Sequence, residues 1–318
     1  MREGRNVLVT GAAGFIGSHT VEVLLRDGYQ VTGLDSLVNG SLENLTRAAS
    51  SQSFAFIRGD ITDTDCLRKA LRNTDAVIHL AAFTSHKESI ENPVKFHEVN
   101  VTGTLTVLRA ASELGVKRLV YASSGAVYGR ANKPPYDEDM PLHPESPYAA
   151  SKVAGEAYCK AYHSAYKLDT VILRYMNVFG PRVRRNDEAG VMVKFADLLL
   201  RNEAPHVFGD GTQNRDFTYV ADVAEANVLA LKTNAAAGEA VNIGTGIPTT
   251  VNELAADMAK LLNRSSQTIH EPERSWEIKF SWAKIDKARR ALNYYPRIEF
   301  KEGLRKFLAW YQHTLGKS

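Results

Sequence analysis

The chain has 318 residues, 44% of them hydrophobic, enough to bury a sizeable core in one large domain or two closely joined ones. Its 39 Lys and Arg against 36 Asp and Glu leave a net charge of +3, too mild to point to nucleic acid, and no basic block is interleaved with aromatics. Cys66 and Cys159 stand far from any metal-ligand spacing, so buried free thiols and no metal are expected. No apolar run reaches the length of a membrane span and the first strand begins by Asn6, which predicts a cytoplasmic protein without a membrane partner.

The opening elements read as a β-α-β unit. Asn6 to Thr10 (NVLVT) is a short apolar run, Gly14 to Gly28 carries helical spacing, and Gln30 to Asp35 (QVTGLD) is apolar again. Between the first two lies TGAAGFIG. In such a run Gly11 permits the tight turn, Gly14 lets a pyrophosphate approach the backbone, and Gly17 lets the helix pack closely on the sheet. The helix opened by Phe15 and Ile16 then faces phosphate with its N-terminus. Asp35 ends the second strand, where a carboxylate can bond both ribose hydroxyls and repel a 2′-phosphate, so NAD is expected over NADP.

Candidate strands continue at Phe54 to Ile57, Ala76 to Leu80, Arg118 to Ala122 and Thr170 to Arg174, with helical patterns between them. This alternation predicts an α/β fold with a doubly wound parallel Rossmann sheet. VILRY and RLVYA hardly alternate, as expected of strands covered on both faces. Asp60-Ile61, after the third strand, reads either as a contact to the adenine edge or as a simple turn. His79, at the end of a central strand, reads as a satisfied structural histidine.

After Asn177 the pattern shifts to loops rich in Gly, Pro and Arg (FGPRVRRND, FGDGTQNRDF) alternating with single helices such as Val191 to Arg201. Ala240 to Ile243 looks like a strand returning to the sheet. The expected division is a dinucleotide domain over 1–180 with a returning segment at about 218–245. A smaller, sequence-interrupted substrate domain takes 181–217 and 246–318. Arg182, Arg184 and Arg185 read as a charged loop rim that raises the local anion concentration.

Tyr148 and Lys152, four residues apart in SPYAASK, project from one helix face and can act on one substrate. A phenol titrates near 10, too high for a base at neutral pH, and a cation beside it favours the phenolate. Lys152 is the expected cation. A hydroxyl of the Ser123-Ser124 pair can bond the same substrate oxygen and steady the proton. The Tyr-Lys spacing alone is a weak motif, and the order of glycine loop, serines and Tyr-Lys pair is what points to a nicotinamide dinucleotide site.

With these placed, the chain resembles the extended short-chain dehydrogenase/reductase family, and within it the branch that epimerises UDP-galactose and UDP-glucose at C4. The similarity runs through VLVTGAAGFIGSH, LDSLVNGSLENL, VIHLAA, NVTGT, YASSGAVYG, PYAASK, RYMNVFGPR and GDGTQNRDFTYV, almost the whole chain. The related nucleotide-sugar dehydratases carry Asp-Glu where Ser124-Gly125-Ala126 stand here, so the resemblance implies epimerisation through a 4-keto sugar. It also implies cofactor contacts at Asn39, Gly40, Leu80, Ala81, Ala82 and Asn100, besides Tyr148 and Lys152. Ser124, Tyr148, Asn177, Arg215, Arg274 and Ser281 are implied to meet the UDP-sugar, with Asn177 and Arg215 on the uridine diphosphate and Arg274 on its phosphates. Arginine suits phosphate because its planar donors bond two oxygens at once.

The match departs at Gly125, where a small polar residue or alanine is expected, and at Met176, where the family often has Phe. Ser275-Trp276 replace a common Gly-Asp pair after Arg274. The family's sugar-size gate, aromatic in members limited to glucose and galactose, falls at Ser281, which predicts that UDP-GlcNAc and UDP-GalNAc also fit. The helix from Tyr148 to Tyr166 carries an alanine stripe (150, 154, 157, 161, 165) and a tyrosine stripe (158, 162, 166). One is expected against the sheet and the other either against a second subunit, in a homodimer as in the family, or in an ordinary core contact. Rival readings are a UDP-glucuronate or UDP-N-acetylhexosamine 4-epimerase and, in another class, a non-catalytic dinucleotide sensor.

Overall fold

In the computed structural model, which describes residues 6–184, 190–274 and 278–315, the alternating elements form one seven-stranded sheet. Its strands are β1 (Asn6–Thr10), β2 (Gln30–Asp35), β3 (Phe54–Arg58), β4 (Ala76–His79), β5 (Arg118–Ser124) and β6 (Asp169–Tyr175), joined by the returning strand Ala240–Ile243. The spatial order is Ala240–Ile243, β6, β5, β4, β1, β2, β3, and every pairing is parallel. Strand succession reverses between β1 and β4, so the loops leaving those two strands part in opposite directions and open a crevice at the strands' C-terminal ends.

Successive residues of a strand point to opposite faces. Val7 and Val9 join one apolar layer with Leu24, Val171 and Val223, while Leu8 joins the other with Val77, Leu119 and Ile172. Both faces are buried, which is why the strands read as continuous apolar runs. A third apolar cluster lies beyond β6, built from Phe179, Phe195, Phe217, Met258 and Phe307. In this lobe the short strand Asn214–Arg215 pairs with Thr249–Thr250 on one side and Phe280–Ser281 on the other.

The chain crosses between lobes more often than the sequence pattern suggests. Ile285, Ala288, Leu292 and Tyr294 fall within the span expected for the substrate half, yet they pack into the sheet's own core. Periodicity shows that a helix has an apolar stripe but not which core the stripe faces.

Helix Pro147–Tyr166 starts at an N-cap where Ser146 Oγ accepts from the N–H of Ala149 at 3.1 Å. Tyr148, Ser151, Lys152, Gly155, Glu156 and Cys159 are buried on it. Of the two expected stripes only Tyr162 reaches that sheet-facing side, packed with Leu119 and Ile172, while Tyr158 and Tyr166 are exposed. Ala150, Ala157, Ala161 and Ala165 are exposed, and Tyr162 is buried with Tyr166 stacked on it at 4.6 Å between ring centres. Among the described residues no helix is long and apolar enough to cross a membrane.

Candidate active site

The end of β1 sets one wall of the crevice. The chain turns at Gly11 with φ +70°, and its N–H donates to the Leu34 carbonyl at 2.8 Å. Gly17 approaches this turn so closely that a Cβ there would lie 2.0 Å from the Gly11 oxygen. The turn therefore aims the N-terminus of helix Phe15–Arg26 into the crevice, where its free N–H groups favour an anion. Asp35 closes β2 beside it and accepts from the N–H of Ala13 at 2.9 Å and of Leu37 at 2.8 Å. Burial pushes this carboxyl up and the backbone N–H groups pull it down. Each oxygen keeps lone-pair capacity for a ribose hydroxyl.

These walls enclose a cleft of about 470 Å³. Gly11, Gly14, Phe15, Ile16, Gly17, Asp35, Asn39 and Gly40 line it, with Asp60, Ile61, Leu80, Ala81 and Ala82, and Ser123, Ser124, Tyr148 and Lys152 line it as well. A crowded glycine turn, an anion-favouring helix end and a ribose-height carboxylate fit a dinucleotide. Asp60 Oδ1 accepts the N–H and the hydroxyl of Thr62 at 2.9 and 2.7 Å, so the residue forms a turn and lines the cleft at once. Asn100 is not in the lining. Its buried amide instead bonds the backbone of Phe83 and Ser151 Oγ, each at 2.9 Å, tying the segment after β4 to the Tyr148 helix.

The two serines part company because β5 is still pleated there. Ser124 Oγ accepts the N–H of Ala126 at 3.2 Å and lies beside the Tyr148 phenol in the cleft lining, where it favours the ionised form. The Ser123 hydroxyl donates instead to Glu156, whose carboxylate is held by Arg174 at 3.0 and 2.7 Å, with both charged side chains only 2% exposed. Ser123 thus spends its proton on a buried carboxylate, although both serines line the cleft.

Lys152 donates to the Ala122 carbonyl at 2.8 Å, and burial pushes its ammonium down to about 8 against the opposing pull of Cys159 and Glu156. Burial pushes the Tyr148 phenol above its ordinary value of 10, opposed by the neighbouring Ser124 hydroxyl. The lowering expected from Lys152 is not what the chain alone displays: desolvation dominates. His79 is neutral, pushed down to about 3 by burial and then by Lys152. Thr104 Oγ1 donates to the Asn100 carbonyl at 2.6 Å, so it accepts from His79 Nε2 at 3.0 Å and leaves Nδ1 to accept from Thr10 Oγ1 at 2.7 Å. Both ring nitrogens are satisfied.

Asn177 opens a short strand between Met176 and Val178, two residues of the cleft lining. Arg215, Arg274 and Ser281 stand outside that lining, on the adjoining lobe. Arg215 and Ser281 are partners in strand register, and the Arg274 guanidinium lies 3.4 Å above the Phe208 ring. Arg185, Ser275 and Trp276 lie outside the described residues. Arg182 is half-buried and paired with Glu22, whereas Arg184 lines the cleft and donates to Asn39 Oδ1. Sequence reasoning also passed over His86, whose ring sits edge-on to Tyr148 at 5.1 Å between centres. No local pattern marks either residue. Among the described residues no cluster of His, Cys, Asp and Glu could hold a metal ion.

The chemistry open to a phenol and a hydroxyl at the end of a dinucleotide cleft is proton and hydride exchange at a hydroxyl-bearing carbon, which places the protein among the nicotinamide-dependent Rossmann enzymes. The chain belongs to the NAD dependent epimerase/dehydratase family, whose profile matches residues 7–244, and NAD is its cofactor. It is 40% identical over 308 residues to a UDP-glucose 4-epimerase of Mycolicibacterium smegmatis, covering 96% of this chain and 98% of that one. It is 35% identical over 317 residues to a UDP-glucuronate 4-epimerase of Thermodesulfobacterium geofontis, covering 97% and 96%. The solved UDP-N-acetylglucosamine 4-epimerase of Methanobrevibacter ruminantium M1, in complex with UDP-N-acetylmuramic acid, matches with a TM-score of 0.93 at 36% identity over 98% of this chain and 100% of that one.

Proposed function

We propose that the protein inverts C4 of a UDP-hexose, interconverting UDP-galactose and UDP-glucose and, through the small residue at Ser281, UDP-GalNAc and UDP-GlcNAc. The observation that carries this reading is the reaction end of the cleft. Tyr148 and Ser124 line it together, and the adjoining Ser124-Gly125-Ala126 segment supplies no carboxylate of the kind that helps dehydratases eliminate water.

In this reading the Tyr148 oxygen takes the proton of the sugar O4 and returns it after the 4-keto sugar has turned over, while the Ser124 hydroxyl steadies the same oxygen. Lys152 supplies a fixed positive charge on the same helix face, which favours the phenolate. NAD, when bound, supplies the hydride acceptor and the return donor, and is regenerated in each turnover. Gly11, Gly14, Phe15, Ile16, Gly17, Asp35, Asn39, Gly40, Asp60, Ile61 and Leu80 to Ala82 hold it. Asn177, Arg215 and Arg274 hold the uridine diphosphate. The exposed alanine face of helix Pro147–Tyr166 supports pairing of two copies, which the mass of the protein in solution would check.

The test is to incubate the purified protein, without added NAD, with UDP-galactose, UDP-GalNAc and UDP-glucuronate separately and to resolve the products by chromatography. Conversion of the first two to their gluco epimers supports the reading. Conversion of UDP-glucuronate alone, release of a 4-keto-6-deoxy sugar, or no reaction even with NAD added overturns it. A Tyr148→Phe protein that loses turnover while still holding NAD excludes a pure sensor, and Ser281→Tyr should remove the N-acetyl activity selectively.

A further inference from the structure

We propose that Arg184 is a direct ligand of the phosphates of bound NAD, carried across the cleft by the segment that leaves the sheet after β6. Three contacts set that segment against the dinucleotide wall. The Pro181 carbonyl accepts from His19 Nε2 at 3.0 Å, Arg182 pairs with Glu22, and Arg184 donates to Asn39 Oδ1. His19 and Glu22 both lie on helix Phe15–Arg26, whose N-terminus forms the phosphate loop. The Asn39 loop is fastened to the same place: Ser41 N–H and Asn44 Nδ2 both donate to the Ala13 carbonyl, at 3.0 and 2.8 Å, and a Cβ on Gly40 would meet Ala13 and Asp35 at 2.9 Å.

Charge is the decisive feature. Arg182 has a carboxylate partner, whereas no carboxylate of the described residues pairs with Arg184, whose one hydrogen-bond acceptor is a neutral amide oxygen. Five donors on a planar guanidinium leave ample capacity for a second partner. A cation lining a cleft shared with a positive helix end is repelled unless an anion lies between them. A diphosphate is such an anion and matches the guanidinium fork. Asp35, lining the same cleft, disfavours the 2′-phosphate of NADP, and the inference rests on the cofactor alone, not on which sugar is turned over.

The measurement is the NAD content of the purified full-length protein, and its NAD dissociation constant by equilibrium dialysis without nucleotide sugar, for wild type, Arg184→Lys and Arg184→Ala. Arg184 is exposed, so neither variant disturbs the core. Losing charge-assisted hydrogen bonds to phosphate should weaken NAD about tenfold to a hundredfold in the alanine variant, with lysine in between. The salt dependence of binding should also flatten in the alanine variant. Unchanged NAD binding overturns the proposal. So does a raised KM for the UDP-sugar with NAD binding intact, which would give Arg184 to the sugar's diphosphate, or an effect confined to NADP.

Discussion

A Cβ added to Gly125 would lie 2.6 Å from the terminal methyl of Met176, so two of the departures from the family pattern are the two halves of one contact beside the reaction centre. Met176 lines the cleft, and the missing side chain at 125 is what gives it room. Gly125→Ser should therefore press Met176 toward the sugar. Overpacking of this kind costs about 1–3 kcal/mol at a rigid contact and less at the end of a flexible side chain. We expect Gly125→Ser to lower kcat/KM, and Gly125→Ser with Met176→Ala to recover most of it. Additive losses in the double-mutant cycle would show that the contact does not couple the two sites.

The neighbouring serines should separate in the same kind of experiment. Ser124→Ala removes the hydroxyl that lines the cleft beside the Tyr148 phenol, and a positioned proton-handling group contributes about 10²-fold or more to rate, so kcat should fall steeply with little change in Tm. Ser123→Ala removes the hydroxyl that bonds the buried Glu156 carboxylate, and its expected cost is about 1–3 kcal/mol of stability with turnover nearly intact. Thermal melts and initial rates on the two variants give the comparison; equal kinetic losses would contradict it.

The same serines mark how far the sequence could be read. The glycine loop, Asp35 and the Tyr148-Lys152 pair each sit in one local unit, a β-α-β turn or a single helix turn, where spacing alone predicts which side chains share a face. Which of Ser123 and Ser124 commits its hydroxyl to the buried Glu156 depends on how far β5 stays pleated, and the pattern ends that strand at Ala122 rather than at Ser124. The Arg184–Asn39 bond, the place of His86 and the Gly125–Met176 contact were invisible for another reason. They arrive from segments distant in the chain and meet the cleft only through tertiary packing, which carries no period. His79 was legible as structural because a strand-end histidine covered on both faces must satisfy both ring nitrogens internally.

Glu156 lies one turn beyond Lys152 on the same helix and is matched to Arg174, both buried. Glu156→Gln leaves the Arg174 guanidinium buried without its counter-ion, which costs about 3–5 kcal/mol. It also removes, after the larger effect of burial and alongside that of Cys159, a charge that holds the Lys152 ammonium up. The alkaline limb of the pH–rate profile should accordingly move to lower pH in Glu156→Gln, provided Lys152 must be charged to support the phenolate. A profile unmoved by the substitution, in a variant whose melt confirms the lost pair, would uncouple Glu156 from the reaction centre.

Lys152 itself is kept at a cost to stability that the pH should reveal. Its ammonium is pushed from 10.5 to about 8 by burial, so the folded state gives up the proton before the unfolded chain does. Below about 8 both states are protonated and the folded protein bears the full penalty of a buried charge. Between about 8 and 10.5 the unfolded state binds more protons, so this group's contribution to stability rises with pH, and above 10.5 the penalty is gone. Lys152→Met, apolar and of similar length, should therefore melt higher than wild type at pH 7 while losing turnover. Its advantage should shrink as the pH is raised from 8 to 10. A variant that is less stable at pH 7, or whose advantage is constant across that range, would mean that the bond to the Ala122 carbonyl outweighs the desolvation of the charge.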